Sequence, residues 1–171
     1  FQCTESTVAF RYSVIKMGVE IERKFLVKND SWRDNIQAKQ SISQGYLSVH
    51  PERTVRVRIS NTQAFLTIKS KSIGSVREEY EYEIPLSDGK ELLALCEKPV
   101  LSKTRFIVEH HNHKWEIDEF ELENKGLIVA EVELKDENEH LEFPGWVGKE
   151  VTQENKYFNS QLIKNPFSNW H

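Results

Sequence analysis

Cysteine is nearly missing from this 171-residue chain, which carries only Cys3 and Cys96. Two thiols so far apart match no zinc-binding spacing and are too few for the disulfide framework of a small secreted domain, so reduced thiols are expected. Long apolar runs are also lacking. No segment approaches the roughly 18 to 20 residues that cross a bilayer, and none has the order of a signal peptide, so the expected setting is cytoplasmic with no membrane partner. Positive charge is not in excess. With 23 Lys and Arg against 27 Asp and Glu, a net charge of -4 and a pI near 5.9, bulk electrostatics imply no nucleic acid polymer as partner. Any anion site must therefore be built locally. No GxxxxGK[ST] stretch exists, which excludes a P-loop. Methionine occurs once, at Met17. Residues 1–16 lack clear periodicity and are expected to be an extension of uncertain origin, with one domain over 17–171; a strand from Val8 to Ile15 is the alternative reading. The 38% hydrophobic and 29% charged fractions suit a single globular, charge-rich domain.

What the chain does have is alternation. Val19 to Val27 reads as a strand with Glu20, Glu22 and Lys24 on one face and Ile21, Phe25 and Val27 on the other. Asn29-Asp30-Ser31 offers caps for a short helix over Trp32 to Lys39. Strands follow over Ile42–Val49, Thr54–Ser60, Ala64–Ser70 and Arg77–Ile84, separated by turn residues, as an antiparallel meander. A helix opening at Ser87-Asp88-Gly89 carries Leu92, Leu93, Leu95 and Cys96, and Pro99 lies beyond its end. Strands resume over Leu101–Glu109, Lys114–Phe120 and Leu127–Leu134, which brings the count to about eight. The tail from Thr152 to Lys164 has the spacing of a packed terminal helix. No internal repeat or linker interrupts this order.

The charges recur by parity. Arg56 pairs with Arg58, Arg77 with Glu79, Glu81 and Glu83, Lys103 with Arg105, Glu116 with Asp118, and Glu131 with Glu133, while Lys69 adds one cation. Opposite parities are largely apolar, as in Val55, Val57 and Ile59. On any single strand an ordinary solvated outer face is the default. Yet Glu-x-Glu recurs on three of these strands and basic pairs at that spacing on two, and carboxylates about 7 Å apart repel unless a partner compensates them. One face of the sheet is thus expected to be charged throughout. If about eight strands close into a barrel with that face inward, the interior binds an ionic ligand and helices cover the apolar outside. Basic rows for phosphate oxygens and acidic rows for a hard divalent metal fit a metal-polyphosphate site.

Glu20-x-Glu22-x-Lys24, followed in order by Arg56-x-Arg58, Lys69, Arg77-x-Glu79-x-Glu81, Lys103-x-Arg105, Asp118 and Glu131-x-Glu133, resembles the CYTH, or triphosphate tunnel metalloenzyme, family. Tyr157-x-Asn159-x-x-Leu162 is similar to that family's terminal helix. The resemblance spans about Met17 to Leu162. It implies an α+β fold: a closed eight-stranded antiparallel β-barrel, or tunnel, with a few flanking helices, binding triphosphate with Mg²⁺ or Mn²⁺. By the same resemblance Lys24, Arg56, Arg58, Lys69, Arg77, Lys103 and Arg105 would hold phosphate oxygens, and Glu20, Glu22, Glu131 and Glu133, assisted by Asp118, would hold a metal. Glu79 and Glu81 would serve a second metal and its activated water, with Lys103 or a glutamate as general base. The expected activity is hydrolysis of inorganic tripolyphosphate to pyrophosphate and phosphate. A class IV-type adenylate cyclase, a thiamine triphosphatase, an RNA 5′-triphosphatase and a non-catalytic polyphosphate-binding module are the competing readings.

Other residues are read more plainly. His110-His111-Asn112-His113 falls at a hairpin turn and is expected to be solvated rather than metal-binding. Trp32, Trp115, Trp146 and Trp170 are expected to pack rather than stack on a base. Glu83 and Glu116 share parity with the site but lie toward strand ends, so they stand open between rim and site. An exposed apolar patch on the outer barrel would favour a homodimer.

Overall fold

The tightest constraint on the architecture is the opening strand, which is paired along both edges. The computed structural model describes residues 14–170, with side chains from residue 18 onward. Strand β1 (Val14–Val27) pairs antiparallel with β5 (Val76–Ile84) through its first half and with β8 (Ile128–Glu133) through its second. Where β5 departs, β9 (Val147–Glu150) takes over that edge, and Val151 N–H donates to Lys24 O. Between these run β2 (Ile36–Ser48), β3 (Arg53–Ser60), β4 (Gln63–Ser70), β6 (Leu101–His110) and β7 (His113–Phe120). The order β5-β4-β3-β2-β6-β7-β8-β1, closed by the β5–β1 pairing, is an eight-stranded antiparallel barrel. Closure leaves β9 as a short ninth strand on the outside of the ring. The expected domain boundary at 16/17 falls inside β1, and most of the expected extension, with the alternative strand from Val8, lies outside the described residues.

Closure fixes which parity points in. Side chains directly opposite across an antiparallel pair share a face. Register places Arg56 opposite both Tyr46 and Thr67, Thr67 opposite Glu81, Lys69 opposite Glu79, Glu20 opposite Arg77, Arg105 opposite Asp118, and Lys24 opposite Glu131. All the charged rows therefore face the lumen. That inverts the usual arrangement, and the apolar core lies outside the barrel wall. On one side Phe25, Val108, Trp115, Ile117, Ala130 and Val132 are covered by Trp32, Leu141, Trp146 and Val147. On another, helix α1 (Leu86–Leu95) lies over β3, β4 and β2. Its close approach needs Gly89, because a Cβ there would sit 2.4 Å from Ala64 Cβ.

Three expectations change. The helix expected over Trp32 to Lys39 is only a 3-10 turn, Ser31–Asn35, and β2 begins at Ile36. Pairing of Ile36 with Val108 and of Lys39 with Phe106 on β6 overrides local helical preference, and Asn29 Oδ1 accepts from Ser31 N–H in a turn rather than capping a helix. The terminal helix α2 spans only Asn159–Lys164, preceded by a 3-10 turn over Asn155–Tyr157. Third, the lumen face is not charged throughout. Toward one end Leu101, Phe120 and Val129 point inward and pack with Tyr46, Leu127, Tyr157, Leu162 and Ile163. The C-terminal segment thus joins an apolar plug at that end of the barrel.

Candidate functional site

The barrel encloses a cavity of about 470 Å³. Its walls carry Glu20, Glu22 and Lys24 from β1, Arg56 and Arg58 from β3, Lys69 from β4, Arg77, Glu79 and Glu81 from β5, Arg105 from β6, and Glu131 and Glu133 from β8. Residues separated by more than a hundred positions meet here because alternate residues of six strands share one lumen. Lys103 and Asp118, also expected at the site, share the inward parity but are 1% and 0% exposed and bond each other rather than line the cavity. Glu116 lines the cavity and pairs with Arg105 and with Lys114, 2.9 Å away, which resolves one open question. Glu83 instead accepts from Gln63 near the far end of its strand.

The charges are arranged as opposed partners. Lys69 reaches Glu79 at 2.5 Å and Glu20 at 3.2 Å, and Arg77 Nε donates to Glu20 at 2.6 Å. Lys24 meets Glu131 at 2.7 Å, and Arg105 joins Glu131, at 2.7 Å, to Asp118. Arg56 and Arg58 both donate to Glu81. This pairing sets the titration behaviour. Burial disfavours the Glu131 anion, but Lys24 and Arg105 outweigh it and hold the carboxyl well below the usual range. Burial pushes Glu22 up, and the neighbouring carboxylates Glu131 and Glu20 add to it, so its pKa is about 6. Burial also brings the Lys103 ammonium down to about 8, against the pull of Asp118.

Both halves of a metal–phosphate site are present in these groups. Glu20, Glu22, Glu131 and Glu133 supply hard oxygen donors on adjacent strands, with Glu22 opposite Glu133. Among the described residues no three acid, imidazole or thiol groups are already gathered as a metal cluster. Glu22 is raised first by burial and then by the nearby Glu131 and Glu20 carboxylates, and a divalent cation there would offset both. On the opposite wall the buried Nε groups of Arg56 and Arg58 have no acceptor, which suits an anion.

Several lumen residues were not singled out by sequence. Tyr46 lines the cavity, Gln44 donates to its hydroxyl at 3.2 Å, and Thr67 is fully buried between charged neighbours. Thr152 also lines the cavity and accepts from Lys24 N–H at 3.0 Å. The inward parity of Tyr46, Gln44 and Thr67 was readable and their lack of charge hid them, whereas Thr152 lies in the turn after β9 and has no strand parity. The histidine run forms the β6–β7 turn, where His113 meets Glu139 at 3.2 Å and His111 meets Glu142 at 3.1 Å. Trp32, Trp115 and Trp146 are buried in the outer core, and Trp170 packs on Tyr157.

A closed antiparallel tunnel lined by facing acidic and basic rows defines a class of polyanion-handling barrels. The chain belongs to the CYTH domain family, whose model matches residues 18–164. It is 45% identical over 155 residues to an inorganic triphosphatase of Acetivibrio thermocellus, covering 90% of this chain and 99% of that protein. An inorganic triphosphatase of Nitrosomonas europaea is 33% identical over 147 residues, covering 84% and 95%. A crystal structure of an inorganic triphosphatase superposes with a TM-score of 0.62 at 32% identity, covering 84% of this chain and 93% of that one. Among the described residues no helix is long and apolar enough to cross a membrane.

Proposed function

We propose that this protein is a divalent-metal-dependent inorganic triphosphatase that hydrolyses tripolyphosphate to pyrophosphate and phosphate. The observation that carries the reading is the lumen itself, in which Lys24, Arg56, Arg58, Lys69, Arg77 and Arg105 surround one cavity beside four metal-suited glutamates. The triphosphatases at 45% and 33% identity support the same reaction.

Arginines present planar forks to phosphate oxygens and lysines present point charges, so the basic rows bind and orient the chain for in-line attack by water on a terminal phosphorus. Glu20, Glu22, Glu131 and Glu133 would hold Mg²⁺ or Mn²⁺, with Asp118 acting from behind by fixing Arg105 and Lys103. A metal held there would supply charge neutralisation on the phosphate oxygens and so stabilise the developing anion. Glu81 is committed to Arg56 and Arg58, which suits it to holding those forks, while Glu79, paired with Lys69, is the acid that would serve a second cation. Lys103 is buried against Asp118 and does not line the cavity, so of the expected bases a lumen glutamate is the better placed to accept a proton.

The test is a panel of tripolyphosphate, ATP and thiamine triphosphate with Mg²⁺, with Mn²⁺ and without metal, scored for phosphate, pyrophosphate and cyclic AMP. Tripolyphosphate cleaved fastest, and only with metal, is the expected result. Dominant cyclic AMP formation, or tripolyphosphate bound without turnover under every condition, would overturn it. In the same assay Glu22→Gln and Glu133→Gln abolish metal-dependent turnover while circular dichroism stays unchanged; normal turnover in either variant removes that residue from the metal set.

A further inference from the structure

We infer that Thr67 is a positioning residue that sets the Arg56 guanidinium for the triphosphate, an inference that rests on the function proposed above. Arg56, Thr67 and Glu81 lie directly opposite one another across β3, β4 and β5, on the lumen face. Thr67 is 0% exposed, so water cannot stand in for its partners. Its hydroxyl donates to Glu81 Oε2 at 2.8 Å and accepts from Arg56 Nη2 at 3.0 Å. One uncharged group thus joins the cation to the anion.

The consequence lies in what the bridge does to the arginine. Arg56 Nη2 also reaches Glu81 Oε2 directly, at 3.2 Å, so one guanidinium nitrogen is tied at two points to the β4–β5 wall. Arg58 meets the same carboxylate through its own Nη2, at 3.0 Å to each oxygen. With two cations sharing one acid, the acid alone does not determine where each fork lies. The hydroxyl breaks that degeneracy, because it bonds Arg56 and Glu81 but not Arg58. An arginine fixed before binding loses less side-chain freedom when the ligand arrives. Arg56 Nε, buried and without an acceptor, belongs to the same fixed fork.

Thr67→Val keeps the branched shape that suits a strand and removes only the hydroxyl. In the intact protein with Mg²⁺, the Val variant is expected to raise KM for tripolyphosphate about tenfold or more, the effect of losing one hydrogen bond to a charged group, with kcat changing less. Thr67→Ser restores KM because it restores the hydroxyl. A second readout needs no substrate. The buried Arg56 Nε–H gives a resolved signal in ¹H–¹⁵N spectra of the metal-free wild type, and that signal broadens or vanishes in Thr67→Val and returns in Thr67→Ser. An Arg56 signal equally sharp in the Val variant, or a serine variant no better than valine, overturns the inference. Absence of tripolyphosphate turnover in the wild type would instead sink the proposed function, and the spectra would still decide the role of Thr67.

Discussion

Glu131→Gln is the substitution that most directly probes how the lumen is balanced. Glu131 is 5% exposed and meets two cations at once, Lys24 and Arg105, each at 2.7 Å. A buried ion pair adds little to stability compared with an apolar pair, but removing one member leaves an uncompensated buried charge. Arg105 keeps Asp118 and Glu116, whereas Lys24 loses the carboxylate it faces. The expected loss is about 3 to 5 kcal/mol in metal-free protein at pH 7, or roughly 6 to 20 °C in Tm for a domain of this size. The pH dependence has a definite sign. Because the folded carboxyl is held well below its ordinary value, its contribution is complete above about pH 4.3 and is lost as pH falls through the folded pKa. The gap between variant and wild type is therefore full at pH 7 and closes in acid. Tripolyphosphate supplies anionic oxygens of its own, so in chelator-treated protein an excess of it should narrow the gap by stabilising the variant more than the wild type. Thermal melts of both proteins between pH 3 and 8, with and without tripolyphosphate, decide the matter. A variant melting within 2 °C of wild type at pH 7, where the full effect is expected, would refute the balance described for this corner.

Glu22→Gln should act in the opposite direction on stability. A carboxyl raised from 4.5 to about 6 is destabilising once ionised, so the amide should stabilise metal-free protein at pH 8 by about 2 kcal/mol while removing the Tm increase that Mn²⁺ gives the wild type; a variant that melts lower at pH 8 contradicts this. Gly89→Ala should lower Tm although alanine favours helices by about 1 kcal/mol, because the new Cβ overlaps the rigid Ala64 Cβ; a higher Tm would show that α1 can lift from β4 without cost. Chelation with EDTA should abolish tripolyphosphate turnover and added Mg²⁺ or Mn²⁺ should restore it; turnover persisting after exhaustive chelation would remove the metal from the reaction.

Much of the barrel was legible in sequence because strand parity and charge coincide. Charged pairs at spacing i, i+2 fell on one face of six of the eight strands, and closure puts that face in the lumen and leaves the apolar parity outside, to be covered by the outer core and α1. Capping residues misled at Asp30 and Ser31, where sheet pairing of Ile36 and Lys39 with β6 carried more weight than a short helix could. Strand β9 went unseen because four residues, Val147–Glu150, carry little alternation of their own and are recruited by the edge that β5 vacates. The site divided the same way. Its charged walls were readable one by one, whereas the separation of Lys103 and Asp118 from the cavity depends on their burial and their bond to each other.

The neutral lumen residues show what parity alone conveys. Thr67, Tyr46 and Gln44 share the inward parity of the arginines, yet a threonine or tyrosine in a strand is ordinary and carries no sign of its role. Only register makes it specific, by setting Thr67 between Arg56 and Glu81 and Tyr46 opposite Arg56. Paired charges dominate the lumen by number, but such charges share partners and do not fix a geometry by themselves. The two arginines on Glu81 illustrate this, since the carboxylate accepts from both and a hydroxyl distinguishes them. In a tunnel whose affinity comes from many interchangeable ionic contacts, precision of placement thus falls to the few uncharged groups wedged between them.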